Sequence, residues 1–175
     1  MRRYLFATFL VLAISNYAFA EKSEAQYTIE VLDSFCIQNQ DDFNNIVHMA
    51  ISSGGKILPN ETGDPAMRSL GGKTVYVPYE NRDYLIAFTN GGGCSVVAED
   101  IDHYKLKELL QKYFEIKLLD QQESLSQVRE MFQVKADGVY FGSIISLVYA
   151  QAETGFSEGS IGFIPAATVN SVTGK

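Results

Sequence analysis

The chain has 175 residues, 46% hydrophobic and 20% charged, with a formal net charge of −7 at pH 7. That is one domain's length, enough to bury a core and too polar on average for a multispanning membrane protein. Ten Tyr and 11 Phe against 14 Gly and 4 Pro exclude wholesale disorder and collagen-like repetition, and the acidic balance argues against binding nucleic acid or anionic lipid, which reward Lys and Arg.

In chain order, Met1-Arg2-Arg3 is a positive start, Tyr4 to Ile14 an apolar run, and Ala18-Phe19-Ala20 a small-x-small site before Glu21. This is the pattern of a signal peptide at 1–20 followed by a single domain at 21–175, and the apolar run is short for a bilayer span of about 20 residues. The expected location is the periplasm or the extracellular space, with no stable membrane anchor after signal cleavage. Removing 1–20, which carries two Arg and no acid, leaves a mature chain of 155 residues with 12 basic and 21 acidic residues, a net charge of −9.

Cys36 and Cys94 are the two cysteines, and in an oxidising compartment such a pair reads as a disulfide. Closing a loop of roughly 60 residues stabilises a fold by about 4 kcal/mol in the chain-entropy picture. The competing reading makes Cys94, after Gly91-Gly92-Gly93, a nucleophile, but the only imidazoles to activate it are His48 and His103.

Tyr27 to Gln38 suits a short helix or a lead-in strand. Phe43, Ile46, Val47, Ala50 and Ile51 have helical spacing, with Asn39 or Asp41 as N-cap and Gly54-Gly55 as the stop. His48 lies just off that apolar stripe and reads as structural. Periodicity then disappears from Gly54 to Gly72, a loop long enough to be a binding loop. Within it Asn60-Glu61-Thr62 fits the glycosylation pattern. Gly72-Lys73-Thr74 resembles the end of a phosphate loop, but Met67 stands where that motif needs Gly, and a strand follows instead of a helix.

Residues 74–79 and 84–89 read as a hairpin around the turn Glu80 to Asp83, with Pro78 marking an edge or a kink, and Cys94 to Ala98 as a third strand. A second helix starts near Asp100–Asp102 and carries Leu106, Leu109, Leu110, Tyr113 and Phe114 on one stripe. Residues 114–118 leave it as a strand. Ser124 with Gln127 has capping-box spacing, yet Val128, Glu130, Phe132 and Val134 alternate, which favours a strand. Gly138 to Ala150 and Ser160 to Val169 form a charge-poor hairpin about the turn at 154–159, either central in a sheet or an edge for a partner. No internal repeat is visible. The expected fold is α+β: an antiparallel sheet of about five to seven strands with two main helices on one face and one disulfide.

Chemistry is sparse. Asp100, Asp102 and His103, with Glu99, form the densest ionisable cluster; two carboxylates and an imidazole can hold a divalent metal or supply a base, whereas acids at a helix N-terminus serve as caps. No metal, cofactor or catalytic residue is assigned, and no G-x-S-x-G elbow occurs. Tyr76, Tyr79, Arg82 and Tyr84 on the hairpin are candidate binding residues, being types that anchor interfaces. Cys36, the helix Phe43 to Ile51 with Ala50, and Gly93-Cys94-Ser95-Val96 resemble small bacterial exported or lipid-anchored proteins of unassigned function. The likeness spans Cys36 to Phe114, implies location more than activity, and departs from the anchored members in lacking a lipid-attachment cysteine. The favoured reading is an exported, non-catalytic interaction protein, such as an inhibitor or immunity-type partner of another periplasmic or secreted protein. The alternatives are a small secreted hydrolase using His103, Asp100 and Asp102, or a structural subunit assembling through its C-terminal strands.

Overall fold

The computed structural model describes residues 22–60, 71–89, 92–151 and 158–173. The expected signal peptide at 1–20, most of the 54–72 loop, two residues of the glycosylation pattern and much of the 154–159 turn lie outside the described residues.

Helix α1 (Glu24–Val31) opens with a capping box: Ser23 accepts from the Gln26 backbone N–H while the Gln26 side chain accepts from Ser23 N. It runs without a break into a π-helical stretch, Leu32–Ile37. Together they bury Ala25, Ile29, Leu32, Phe35 and Cys36, so 27–38 is helical rather than a lead-in strand. Asn39 Nδ2 donates to the Ser34 and Phe35 carbonyls at 2.9 and 3.1 Å, satisfying acceptors that a helix end leaves free.

Helix α2 (Asn44–Ser52) buries Ile46 and Ala50. Neither Asn39 nor Asp41 caps it. Phe43 holds the N-cap position, and the Asp42 carboxylate accepts from Asn44 N at 3.0 Å. Gly54, at φ +83°, ends it, and a Cβ on Gly55 would lie 2.1 Å from the Tyr76 carbonyl oxygen, so the chain passes the sheet there only as glycine.

Eight strands follow among the described residues: β1 (Lys56–Ile57), β2 (Lys73–Tyr79), β3 (Arg82–Phe88), β4 (Cys94–Ala98), β5 (Ile116–Glu123), β6 (Gln127–Val134), β7 (Ile144–Ala150) and β8 (Gly159–Ile164). They form one antiparallel sheet in the order β1-β2-β3-β4-β8-β7-β6-β5. The sheet thus consists of two four-stranded meanders meeting at β4 and β8, a duplication of topology without visible repetition of sequence. Helix α3 (His103–Phe114) connects the two. Ser124 and Gln127 do not cap a helix; they bond each other across the β5–β6 turn.

The register pairs Tyr79 with Arg82, so the β2–β3 turn is only Glu80-Asn81, at φ +50° and +61°. Paired positive φ values suit a right-twisted two-residue hairpin. Pro78 lies beyond the reach of β1, which pairs only with Val75 and Tyr76, so it interrupts no ladder.

The C-terminal strand is shorter than the sequence suggests. It ends at Ile164, Pro165 stops the ladder, and α4 (Ala166–Thr173) follows with no buried residue. Both strands of this hairpin are interior, β8 between β4 and β7, and β7 between β8 and β6. Assembly through their edges is therefore closed; the free edges are β1 and the largely exposed, charge-bearing β5.

One face of the sheet is covered by α1, the π-helical stretch, α2 and α3, and the core lies between. The Cys36–Cys94 disulfide pins the π-helical stretch to β4, with Cα atoms 5.5 Å apart. The opposite face presents Ala87, Ser95, Gly162, Ser146 and Met131 in one lateral row. No described helix is long and apolar enough to cross a membrane.

Candidate functional site

Alternation along β3 puts Arg82 and Tyr84 on the helix-covered face beside Tyr79 of β2, and all three meet α1. The Glu24 carboxylate accepts from Tyr84 Oη at 2.6 Å and from Arg82 Nε. The Arg82 guanidinium lies over the Tyr27 ring, 4.1 Å from its centroid, and Tyr27 meets Tyr79 edge-on at 6.5 Å. Tyr84 is 1% exposed. Burial, then the hydrogen bond to Glu24, pushes its phenol well above the usual range. Arg82 is held above its ordinary value by the hydrogen bond to Glu24.

Beside this network a cleft of about 460 Å³ opens between α1, the hairpin and the end of α3, within the size range of about 300–1,000 Å³ typical of ligand sites. It is lined by Gln26, Glu30 and Asp33, each about one turn after the last along α1 and into the π-helical stretch, together with Tyr79, Phe114 and the half-exposed Tyr113. Glu30 pairs with Lys22 at 2.7 Å and accepts from Tyr79 Oη at 3.5 Å; Asp33 accepts from Gln38 Nε2 at 2.8 Å. Lys112 stands over the Tyr113 ring at 5.6 Å. Burial, then the Glu30 charge, raises the Tyr79 phenol. Carboxylates and aromatic faces at this spacing suit a guanidinium or ammonium group, by ion pairing and cation–π contact.

The structure divides the sequence-derived binding set. Tyr79 lines the cleft, while Arg82 and Tyr84 lie beside it and tie the hairpin to α1 through Glu24. Tyr76 faces the other side of the sheet, where it donates to Asp83 at 2.6 Å beneath Lys56. Glu24, Tyr27, Glu30 and Asp33 were not singled out from the sequence. Their signal was Ser23-x-x-Gln26, a capping box that fixes α1 and brings these residues onto one side.

The Asp100–His103 cluster serves the fold. Asp102 caps α3 by accepting from Lys105 N at 2.9 Å, and Asp100 takes a left-handed turn at φ +54°. The His103 ring stacks on Tyr149 at 4.0 Å, nearly parallel. Burial, then the nearby Lys107 charge, lowers its pKa. Lys107 reaches the buried Glu130 at 3.1 Å. Among the described residues no three His, Cys, Asp or Glu side chains group to hold a metal. Of the groups named for a hydrolase, Asp102 is engaged as a cap and the His103 ring is stacked on Tyr149.

Comparison with known proteins gave no match to a family model, to a curated protein or to a solved structure.

Proposed function

We propose that the chain is an exported, non-catalytic binding protein whose cleft between α1, the β2–β3 hairpin and α3 receives a basic segment of another exported protein, in the manner of an inhibitor or immunity-type partner. The observation that carries this reading is the cleft itself, lined by Glu30, Asp33, Tyr79 and Tyr113 in a chain of net charge −7. Beside the cleft the Glu24–Arg82–Tyr84 network fixes the hairpin against α1 before a partner arrives and so lowers the ordering cost of binding. Export is supported by the N-terminal pattern and by compatibility of a structural disulfide with an oxidising compartment.

Fluorescence anisotropy with a labelled peptide of alternating Arg and Ala tests the cleft. Binding is expected to weaken with salt and to fall about tenfold or more in Asp33→Asn with Tyr79→Ala. Equal binding of the Glu-for-Arg peptide, or an unaffected double variant, would overturn the proposal. N-terminal sequencing of exported material is expected to begin at Glu21, and a start at Met1 would contradict signal cleavage.

A further inference from the structure

The uncovered face of the sheet holds a second concavity, remote from the acidic cleft and unlike it in chemistry. A furrow of about 540 Å³ runs between the sheet and α4. Its floor is low because Ser95, Gly162 and Ser146 align across three adjacent strands. A Cβ on Gly162 would come within 2.5 Å of Ser146 Oγ, so the glycine leaves the space above it to the small serine side chain. The walls are apolar, Ile144 and Ile164 from the sheet and Val169 from α4. The furrow has one charged residue among its lining side chains, Arg129 on β6. Arg129 is exposed and makes no ion pair among the described residues. The acids nearest in register are on β5, where Asp120 accepts from Gln122 at 3.0 Å. Helix α4 lacks a charged residue and buries no side chain, and its Val172 is 82% exposed.

An apolar furrow with a single guanidinium at its rim, unpaired with any carboxylate among the described residues, is complementary to a ligand with one hydrocarbon chain and one anionic head. We propose that this face binds a free fatty acid, the chain lying along the Ser95–Gly162–Ser146 floor beneath α4 and the carboxylate pairing with Arg129. The furrow has the volume of a small-molecule site, and the acidic chain as a whole is repelled from an anionic bilayer, which favours a single extracted molecule over a membrane surface. The proposal is independent of the acidic cleft.

The test uses the delipidated full chain and a dansyl-labelled fatty acid, displaced by dodecanoate or by dodecanol. Saturable binding is expected, with dodecanoate displacing better than dodecanol. Arg129→Gln, at an exposed site that leaves folding intact, should weaken dodecanoate about tenfold and leave dodecanol unchanged. Ser146→Leu, with its fold checked by circular dichroism, should fill the furrow and weaken both, while Tyr79→Ala should weaken neither. The proposal is overturned by absence of saturable binding, by binding indifferent to Arg129→Gln and Ser146→Leu, by partition to vesicles alone, or by a dimer in light scattering that excludes the probe.

Discussion

Replacing Tyr84 with phenylalanine removes one oxygen and tests the bond network that ties the hairpin to α1 beside the cleft. The Tyr84 hydroxyl is buried and donates to a carboxylate at 2.6 Å, and Glu24 keeps Arg82 in the variant, so no charge is left without a partner. Hydrogen bonds to charged groups contribute about 1.5–3 kcal/mol, and with Glu24 still paired the lower end applies, about 1.5 kcal/mol at pH 8. For a domain of this size that lowers Tm by about 3–6 °C. The folded pKa of Tyr84 is raised, so its contribution is complete below the unfolded value near 10 and is lost as pH rises toward the folded one. Above pH 10 the unfolded phenol ionises first, favouring unfolding by about 1.4 kcal/mol per pH unit in the wild type and not in the variant. Urea titrations of both proteins, disulfide intact, should show the gap at pH 8 closing by about pH 11. A gap below about 0.5 kcal/mol at pH 8, against the expectation for a charged bond, or one that stays constant to pH 11, would show that the Tyr84–Glu24 bond does not hold the hairpin to α1.

Four further outcomes are expected. Replacing Cys36 and Cys94 with alanine should cost about 4 kcal/mol in denaturant titrations, with no further loss on adding reductant. Gly55→Ala places a methyl against the Tyr76 carbonyl and should cost about 2 kcal/mol or more by the same measurement. Lys107→Met removes the partner of Glu130, which is 5% exposed, and should cost about 2 kcal/mol; the double variant with Glu130→Gln should recover part of it. The folded pKa of His103 is lowered, so its contribution is present above the unfolded value near 6.5 and is lost as pH falls through the folded one. His103→Phe, which keeps a ring against Tyr149, should flatten that part of the acid limb of a stability–pH curve.

Local patterns made the first meander legible. Val75, Val77, Tyr84 and Ile86 alternate inward, and α3 carries both a side-chain cap at Asp102 and an apolar stripe from Leu106 to Phe114. The segment 27–38 was ambiguous because a π-helical stretch departs from the 3.6-residue period on which the helical signature rests. At the C-terminus, the apolar residues 166–169 resemble a strand, and it is Pro165 that turns them into a helix. Seven of the eight strands follow from the sequence, β2, β3, β4 and β6 within three residues of these bounds; β5 runs on to Glu123, β7 starts only at Ile144 and β8 stops at Ile164, while β1, two residues long, carries no periodicity at all. The cleft was half visible. Tyr79, Arg82 and Tyr84 stood out on the hairpin, but their partner Glu24 is 58 residues from Arg82 in the chain, and Tyr113 arrives from the far end of α3. Juxtapositions of that range follow from the strand order, which no local spacing encodes.

The most direct test of the central claim is an amide NMR titration of the mature protein with the Arg-Ala peptide. Shift changes are expected to concentrate on Gln26, Glu30, Asp33, Tyr79 and Tyr113, with saturation, and to leave β5 little changed. Shifts spread evenly over the acidic residues, or none at the cleft, would contradict it.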